Sequence, residues 1–431
     1  MPSYSGVWNL VAVYQAVGAG QWSTTPVGFL LKFSNTESSN NIQAEVSPID
    51  TSTGISYCTF NYLSGGRYGI RIAAVTSNGT VKWAKSYSVS GNDVYATDAS
   101  QNGTHIFIAA RGSGNAVVLK ISKSDGSLTA SKTLSASSSN VGLSVDYVNN
   151  RFYFQYTDGS THRVGCFNAD TFAAIWSPLS VTYGGSYPAP VSVFNVDYNH
   201  SNGIAYGFFN RYNSGGTIQE SHVIGLNSSG VSFVQNIAVG LRTDMIGATF
   251  DASNNIIVSG DKYLISYNSS ATSVNWGRNY TFSRQRNGIS ENGFSNNSVY
   301  PFNAQGIFLQ FNTASPSISW SKILETGATA SDREAYTSGA VEYQNYVTYC
   351  MFEDSFATGK NAYVMNFPKS GSYTGLINSS AEVVAGSTTS SSYTPTLASI
   401  TPTTSSSGTS FSDYTVTTTT WSPTTTLTLF A

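Results

Sequence analysis

The sequence predicts an all-β fold, a seven-bladed β-propeller of four-stranded blades, and three observations lead there: a repeated acidic turn, a repeated closing strand, and four short β-branched and aromatic runs in each period. The turn appears as SPIDTSTGISYCTF from Ser47, ATDASQNGTHIFIAA from Ala96, SVDYVNNRFYFQY from Ser144, NVDYNHSNGIAYGFF from Asn195 and ATFDASNNIIVSG from Ala248. Its aspartates, Asp50, Asp98, Asp146, Asp197 and Asp251, recur at intervals of 48, 48, 51 and 54 residues. Self-similarity of that length marks a stack of equivalent supersecondary units.

Each unit closes on a segment that often contains Trp. These segments start at Ser77, Ser124, Asp170, Ser228, Ala271, Ser315 and Ser370, and seven of them imply seven units. Two later units, from Gly288 and Ser338, lack the aspartate but keep the order of apolar run, turn and apolar run. Short β-branched and aromatic runs between Gly, Asn, Asp and Ser read as strands and hairpins, and four fit each period. Units of that size and content are propeller blades. The aspartates are read as structural, each accepting bonds from the amides of its own turn.

A ring needs its first and last sheets tied together. The strand VGFLLKFS, Val27 to Ser34, belongs to no complete unit and is expected to join the last blade as an outer strand. The chain then divides into an N-terminal anchoring segment (1–25), the propeller (26–378) and a C-terminal arm (379–431). In the first, Val7, Leu10, Val11, Tyr14 and Val17 recur at helical spacing, with Ser5 placed to cap and Gly18 to terminate. This short helix, with Trp8 and Trp22 nearby, is available to plug the ring or to dock on a neighbour. The arm has two acidic residues, no basic ones, and Ser or Thr at about half its positions. Its alternating β-branched segments, which hold Trp421 and Phe430, suit an extended arm that adds strands to another subunit.

Charged residues make up 10% of the chain and the net charge is -2. No basic run offers an electrostatic footprint for nucleic acid, and no long apolar stretch suits insertion in a membrane. Cys58, Cys166 and Cys350 form no CxxC pair and read as buried thiols. The N-terminus lacks the basic region and cleavage site of a secretory signal, while the Ser/Thr/Asn/Tyr-rich surface suits the outside of a cell. A virion protein, made in a host cytoplasm and released with the particle, satisfies both.

Chemistry is sparse. His105, His162, His200 and His222 lie in different units without metal-ligand spacing, and no nucleophile elbow or phosphate loop occurs, so no cofactor is expected. A glycan hydrolase would need paired carboxylates. Asp332 with Glu334, and Glu353 with Asp354, are the candidates, and both read as solvated loop charge, because neighbours on a strand point to opposite faces. Binding of a host-surface glycan without catalysis stays open through the Tyr and Trp rings, with the loops from Tyr183 and Phe209 as contact sites.

The string YSGVWNLVAVYQAVGAGQW resembles the Gly-Val-Trp leader of tail and fibre proteins from marine and cyanobacterial tailed bacteriophages. The turns DASNN and DASQNG and the closing segment GTVKW resemble β-propeller repeats of bacterial and phage proteins. The resemblance implies a non-enzymatic structural protein of the virion, whose partners are other virion proteins and copies of itself. Its contacts would then be Val7, Trp8, Leu10, Val11, Tyr14, Trp22, Trp421 and Phe430.

Overall fold

The computed structural model describes residues 28–430 apart from short stretches, chiefly 35–43, 184–190, 213–217, 289–297, 326–338 and 354–360. The N-terminal segment, with Val7, Trp8, Leu10, Val11, Tyr14 and Trp22, lies outside the described residues, as does Trp421. Every regular element among the described residues is a strand, and the strands form seven antiparallel sheets.

Blades 1 to 5 each take four consecutive strands from one repeat. In blade 2 these are Val94–Gln101, His105–Gly112, Asn115–Ser122 and Leu128–Leu134. The first strand of each repeat is innermost, and the fourth is outermost. Successive blades pack face to face over apolar clusters, because side chains alternate between the two faces of a strand and both faces are covered. One such cluster joins Ile72 and Ile106 of blades 1 and 2, the next Phe107 and Phe152 of blades 2 and 3, and so on round to Phe308 and Phe367 of blades 6 and 7. The last joins Phe33 of blade 7 to Phe60 of blade 1, closing the circle. The three cysteines are buried and unbridged.

Blade 7 is closed from the other end of the chain. Its three own strands, Gly339–Tyr343, Tyr346–Glu353 and Asn361–Pro368, are completed by Gly28–Ser34, which runs antiparallel to the third from Phe29 opposite Asn366 to Ser34 opposite Asn361. This is the clasp that its position in the sequence predicts. The segment from Ser370 therefore does not close blade 7: its strand Gly375–Asn378 pairs instead with Ala381–Ala385 at the edge of blade 6.

From there the chain turns back and passes the blades in reverse order, adding a fifth strand outside each. Ala381–Ala385 pairs with blade 6, Ser390–Ser392 with blade 5, Ala398–Ile400 with blade 4 and Thr403–Ser406 with blade 3. Ser412–Asp413 then joins blade 2, Thr417–Thr420 blade 1, and Thr424–Phe430 the clasp strand of blade 7. The sequence reading sends these strands to another subunit, whereas here they pair within the same chain. The physical reason is that the fourth strand of every blade presents an open row of backbone donors and acceptors, and the arm lies within reach of all seven. Phe430 takes its place in this last strand, opposite Gly28.

Three closing-strand tryptophans each staple one blade to the next. Trp83 Nε1 of blade 1 donates to the Lys123 carbonyl of blade 2 at 2.9 Å, and Trp176 of blade 3 reaches Asn227 of blade 4 at 3.2 Å. Trp320 of blade 6 repeats the bond to Lys369 of blade 7 at 2.9 Å. The ring lies on a tight turn whose glycine has no room for a Cβ: one on Gly126 would meet Trp83 at 2.6 Å, and one on Gly371 would meet Trp320 at 2.4 Å. Both glycines also have positive φ.

Where the tryptophan is missing, another ring fills its place. Blade 2 carries Ala130 instead, and Phe411 of the arm packs beside it against Phe167, with ring centroids 4.6 Å apart, and against Phe172 at 5.7 Å. In blade 4 Phe233, next to Val234, packs on Tyr206 at 6.0 Å. Tyr414 and Val416 of the arm also seat on the core between blades 1 and 2.

Removing residues 379–431 uncovers seven outer strand edges and empties the Phe411 position. A chain of residues 1–378 is expected to form open-ended aggregates larger than any assembly of the full chain, as light scattering would show, because uncovered edges are templates for pairing. A truncated chain with the same dispersity and melting temperature as the full chain would contradict the arrangement.

Candidate functional site

Three places gather polar or aromatic side chains: the inner strands around the axis, the face that carries the acidic turns, and the opposite face beneath the inter-blade connections.

The five repeat aspartates divide between the first two. Asp50, Asp146 and Asp251 sit at the turn. Asp50 accepts from Ser52 N at 3.0 Å, and Asp251 accepts from Ser253 N at 2.8 Å and Asn255 N at 2.9 Å. Asp146 accepts from Asn149 N at 3.2 Å and Arg151 Nε at 2.8 Å. Its own turn bonds and Arg151 hold the Asp146 carboxyl low despite its burial; Ser52 and Lys123 do the same for Asp50. Lys123, in blade 2, pairs with Asp50 of blade 1 at 3.3 Å, so that turn also ties two blades.

Asp98 and Asp197 are not turn residues. Bulges between Ala96 and Asp98 and between Val193 and Val196 shift the register, and both aspartates fall inside inner strands. Asp98 is 4% exposed. Its Oδ1 accepts from Ala99 N at 2.9 Å, while Oδ2 accepts from Leu143 N of blade 3 at 2.7 Å and Val196 N of blade 4 at 3.1 Å. One carboxyl thus gathers amides from three successive blades.

This is the strongest instance of a general solution. Inner strands do not pair with one another across the axis, so their backbone groups find side chains on the adjoining blade. Asn61 of blade 1 bonds both the N–H and the carbonyl of Ala96 in blade 2, at 2.8 and 2.9 Å. Ser100 Oγ accepts from Val145 N at 3.0 Å, and Ser144 Oγ accepts from Tyr198 N at 3.0 Å. Gln155 of blade 3 donates to the Asn195 carbonyl of blade 4 at 2.9 Å. An unmet buried amide costs about 1–3 kcal/mol, so these bonds set whether the axis closes.

Burial raises the Asp98 carboxyl well above the usual range, the three amides oppose this, and neighbouring Asp197 raises it further. Asp197 is pushed up to about 7 by burial. Two carboxyls in electrostatic contact would suit acid–base chemistry if both faced an open cleft. Here Asp98 is occupied by backbone amides, and no group of three or more His, Cys, Asp or Glu side chains that could hold a metal occurs among the described residues. Of the carboxylates weighed from sequence, Asp332, Glu334 and Asp354 fall outside the described residues, and Glu353 ends the second strand of blade 7.

On the face opposite the turns, residues that flank the two loops singled out from sequence meet, while 184–190 and 213–217 lie outside the described residues. Tyr183 lies 5.0 Å from Phe209 and 5.9 Å from His222, ring to ring, with the Arg211 guanidinium 5.5 Å from its centroid. His162 completes the group, 4.6 Å from Phe209 and bonded to Tyr183 Oη and to Gln155 Oε1. Burial drives His162 down to about 3, so it stays neutral. These rings pack blade 3 on blade 4.

The turn face offers what that cluster lacks, exposed rings. Tyr147, directly after Asp146, is 57% exposed, and its ring centroid lies 4.1 Å from that of His200 on the next blade. His200 meets Tyr198 edge-on at 4.7 Å, and Tyr198 stacks on Tyr153 at 5.5 Å. Sequence reasoning passed over this pair. The available signal was the aromatic that follows the aspartate only in the third and fourth copies, SVDY and NVDY.

No protein-family model matches the chain, and no curated protein matches it. Among solved structures, the crystal structure of BamB from Moraxella catarrhalis aligns with 75% of this chain and 84% of that one, at 13% identity and a TM-score of 0.41.

Two substitutions separate the roles of the inner aspartates. Asp98→Asn keeps the size but sets an amide donor against backbone donors, and is expected to lower unfolding stability in urea by about 2–4 kcal/mol. Asp197→Asn should do the reverse. Its carboxyl is raised in the fold, so its protonated form is favoured there, and that contribution is lost as pH climbs from the unfolded value near 4 through about 7. The variant is expected to gain on the parent by roughly 2 kcal/mol more at pH 8 than at pH 5. Titrating His162 affects both proteins alike. A gain that does not change with pH would show that Asp197 ionises freely.

Proposed function

We propose that the protein is a non-enzymatic structural component of a tailed-phage virion, made in the host cytoplasm, that works by rigid assembly and display. The observation that supports this reading is the meeting of the first and last described strands on one blade. Gly28 pairs with Phe430 at the outer side of blade 7. The described ring is closed by its own clasp and by the strands of 381–430, and this reading gives the anchoring role to the N-terminal segment. In this reading residues 1–25 form a helix whose Val7, Leu10, Val11 and Tyr14 stripe, with Trp8 and Trp22, docks on other virion proteins or on copies of this chain. Residues 379–431 act as the extended Ser/Thr-rich arm, with Trp421 near its end. No cofactor takes part, and neither nucleic acid nor a membrane is a partner.

Sedimentation of the full chain against residues 26–431 tests this. The full chain is expected to form a discrete oligomer, and the shortened chain a monomer with an unchanged melting temperature. Two monomers would contradict the anchoring role, and cleavage of a polysaccharide by the purified chain would contradict the non-enzymatic one.

A further inference from the structure

We propose that Tyr147 and His200 form a stacking platform for a neutral pyranose ring on the turn face of blades 3 and 4. The inference stands apart from the particle reading, since it needs only the described ring.

Exposed large apolar side chains are few among the described residues, and two of them are adjacent here, Tyr147 at 57% and Val148 at 70% exposure. Neither is needed to fill an inter-blade core. Each ring stands on a turn that its own bonds hold still. On the Tyr147 side, Asp146 gathers Asn149 and Arg151, and Asn150, at a positive φ of 52°, ties its amide to Asp170 Oδ2 at 2.7 Å. On the His200 side, Asn199 Oδ1 accepts from Ser201 N at 2.9 Å and the Asn199 carbonyl accepts from Gly203 N at 2.9 Å. Behind them the rings of Tyr198 and Tyr153 back the pair, and Arg151 lies 5.6 Å from the Tyr153 centroid. Little ordering would be required when a ligand arrives, which favours binding by a small surface.

The chemistry selects the ligand class. The face of Tyr147 turned away from His200 offers π surface to the C–H face of a sugar, His200 stacks behind it, and the exposed Asn149 and Ser201 add hydroxyl-bonding groups on the same two turns. Asp146 and Arg151 cancel one another, so the patch carries no net charge to prefer an acidic sugar.

The test is saturation-transfer NMR and calorimetry on the full chain with cellotetraose, maltotetraose and mannotetraose, each at about 10 mM, where contacts of millimolar strength register. At least one should bind. Tyr147→Ala should weaken it by about tenfold or more, while Tyr147→Phe keeps the affinity and both variants keep the parent melting temperature. Silence from all three oligosaccharides, or equal binding by Tyr147→Ala, overturns the proposal. So does loss of an oligomer in Tyr147→Ala without any saccharide contact, which would make the platform a contact between copies.

Discussion

Every blade of this ring has two backbone edges that its own strands leave unsatisfied, and the fold is organised by how those edges are met. Toward the axis the inner strands do not pair with each other, so Asn61, Asp98, Ser100, Ser144 and Gln155 each reach the backbone of a neighbouring blade. Toward the outside the clasp and the returning strands of 381–430 add a further ladder to every sheet. Since a buried amide without a partner costs more than a typical bond returns, both devices bear on whether the circle closes at all.

Between the edges, apolar clusters pack each blade on the next, and at several interfaces a large ring at the rim seals them. Trp83, Trp176 and Trp320 donate to the turn of the next blade and cover it. In blade 2 that ring comes from about 280 residues further along the chain, because Phe411 occupies the space beside Ala130. The arm is therefore part of the core at two interfaces, through Phe411 and through Tyr414 and Val416, and a cover at the others. A tail rich in Ser and Thr can serve both ends, since its strands meet solvent on one side and need few apolar anchors.

Much of this architecture was legible in the residues. The period, the number of blades and the clasp followed from spacing, because equal lengths of chain folding into like sheets leave equal marks. The inner aspartates were read at the wrong depth. Asp98 and Asp197 share the spacing of Asp50, Asp146 and Asp251, yet the turn in those two copies is held by Asn102 and Asn199, which lie further along and accept from Thr104 N and Ser201 N. The destination of the arm was hidden for a different reason. Short Thr-rich strands specify extension but not a partner, and the choice among seven equivalent edges is made by the order of the chain around the ring. Of the Tyr147 and His200 platform only the aromatic after Asp146 was legible, because its two members lie 53 residues apart and touch only through the packing of two blades.

Amide hydrogen exchange on the intact chain tests the central claim most directly, since it reads the returning strands and the blade edges they cover together. Amides of 403–406, 417–420 and 424–430 should be protected for as long as those of the outer strands they pair with. Exchange at the rate of an unstructured chain across 381–430, beside stable blades, would contradict it.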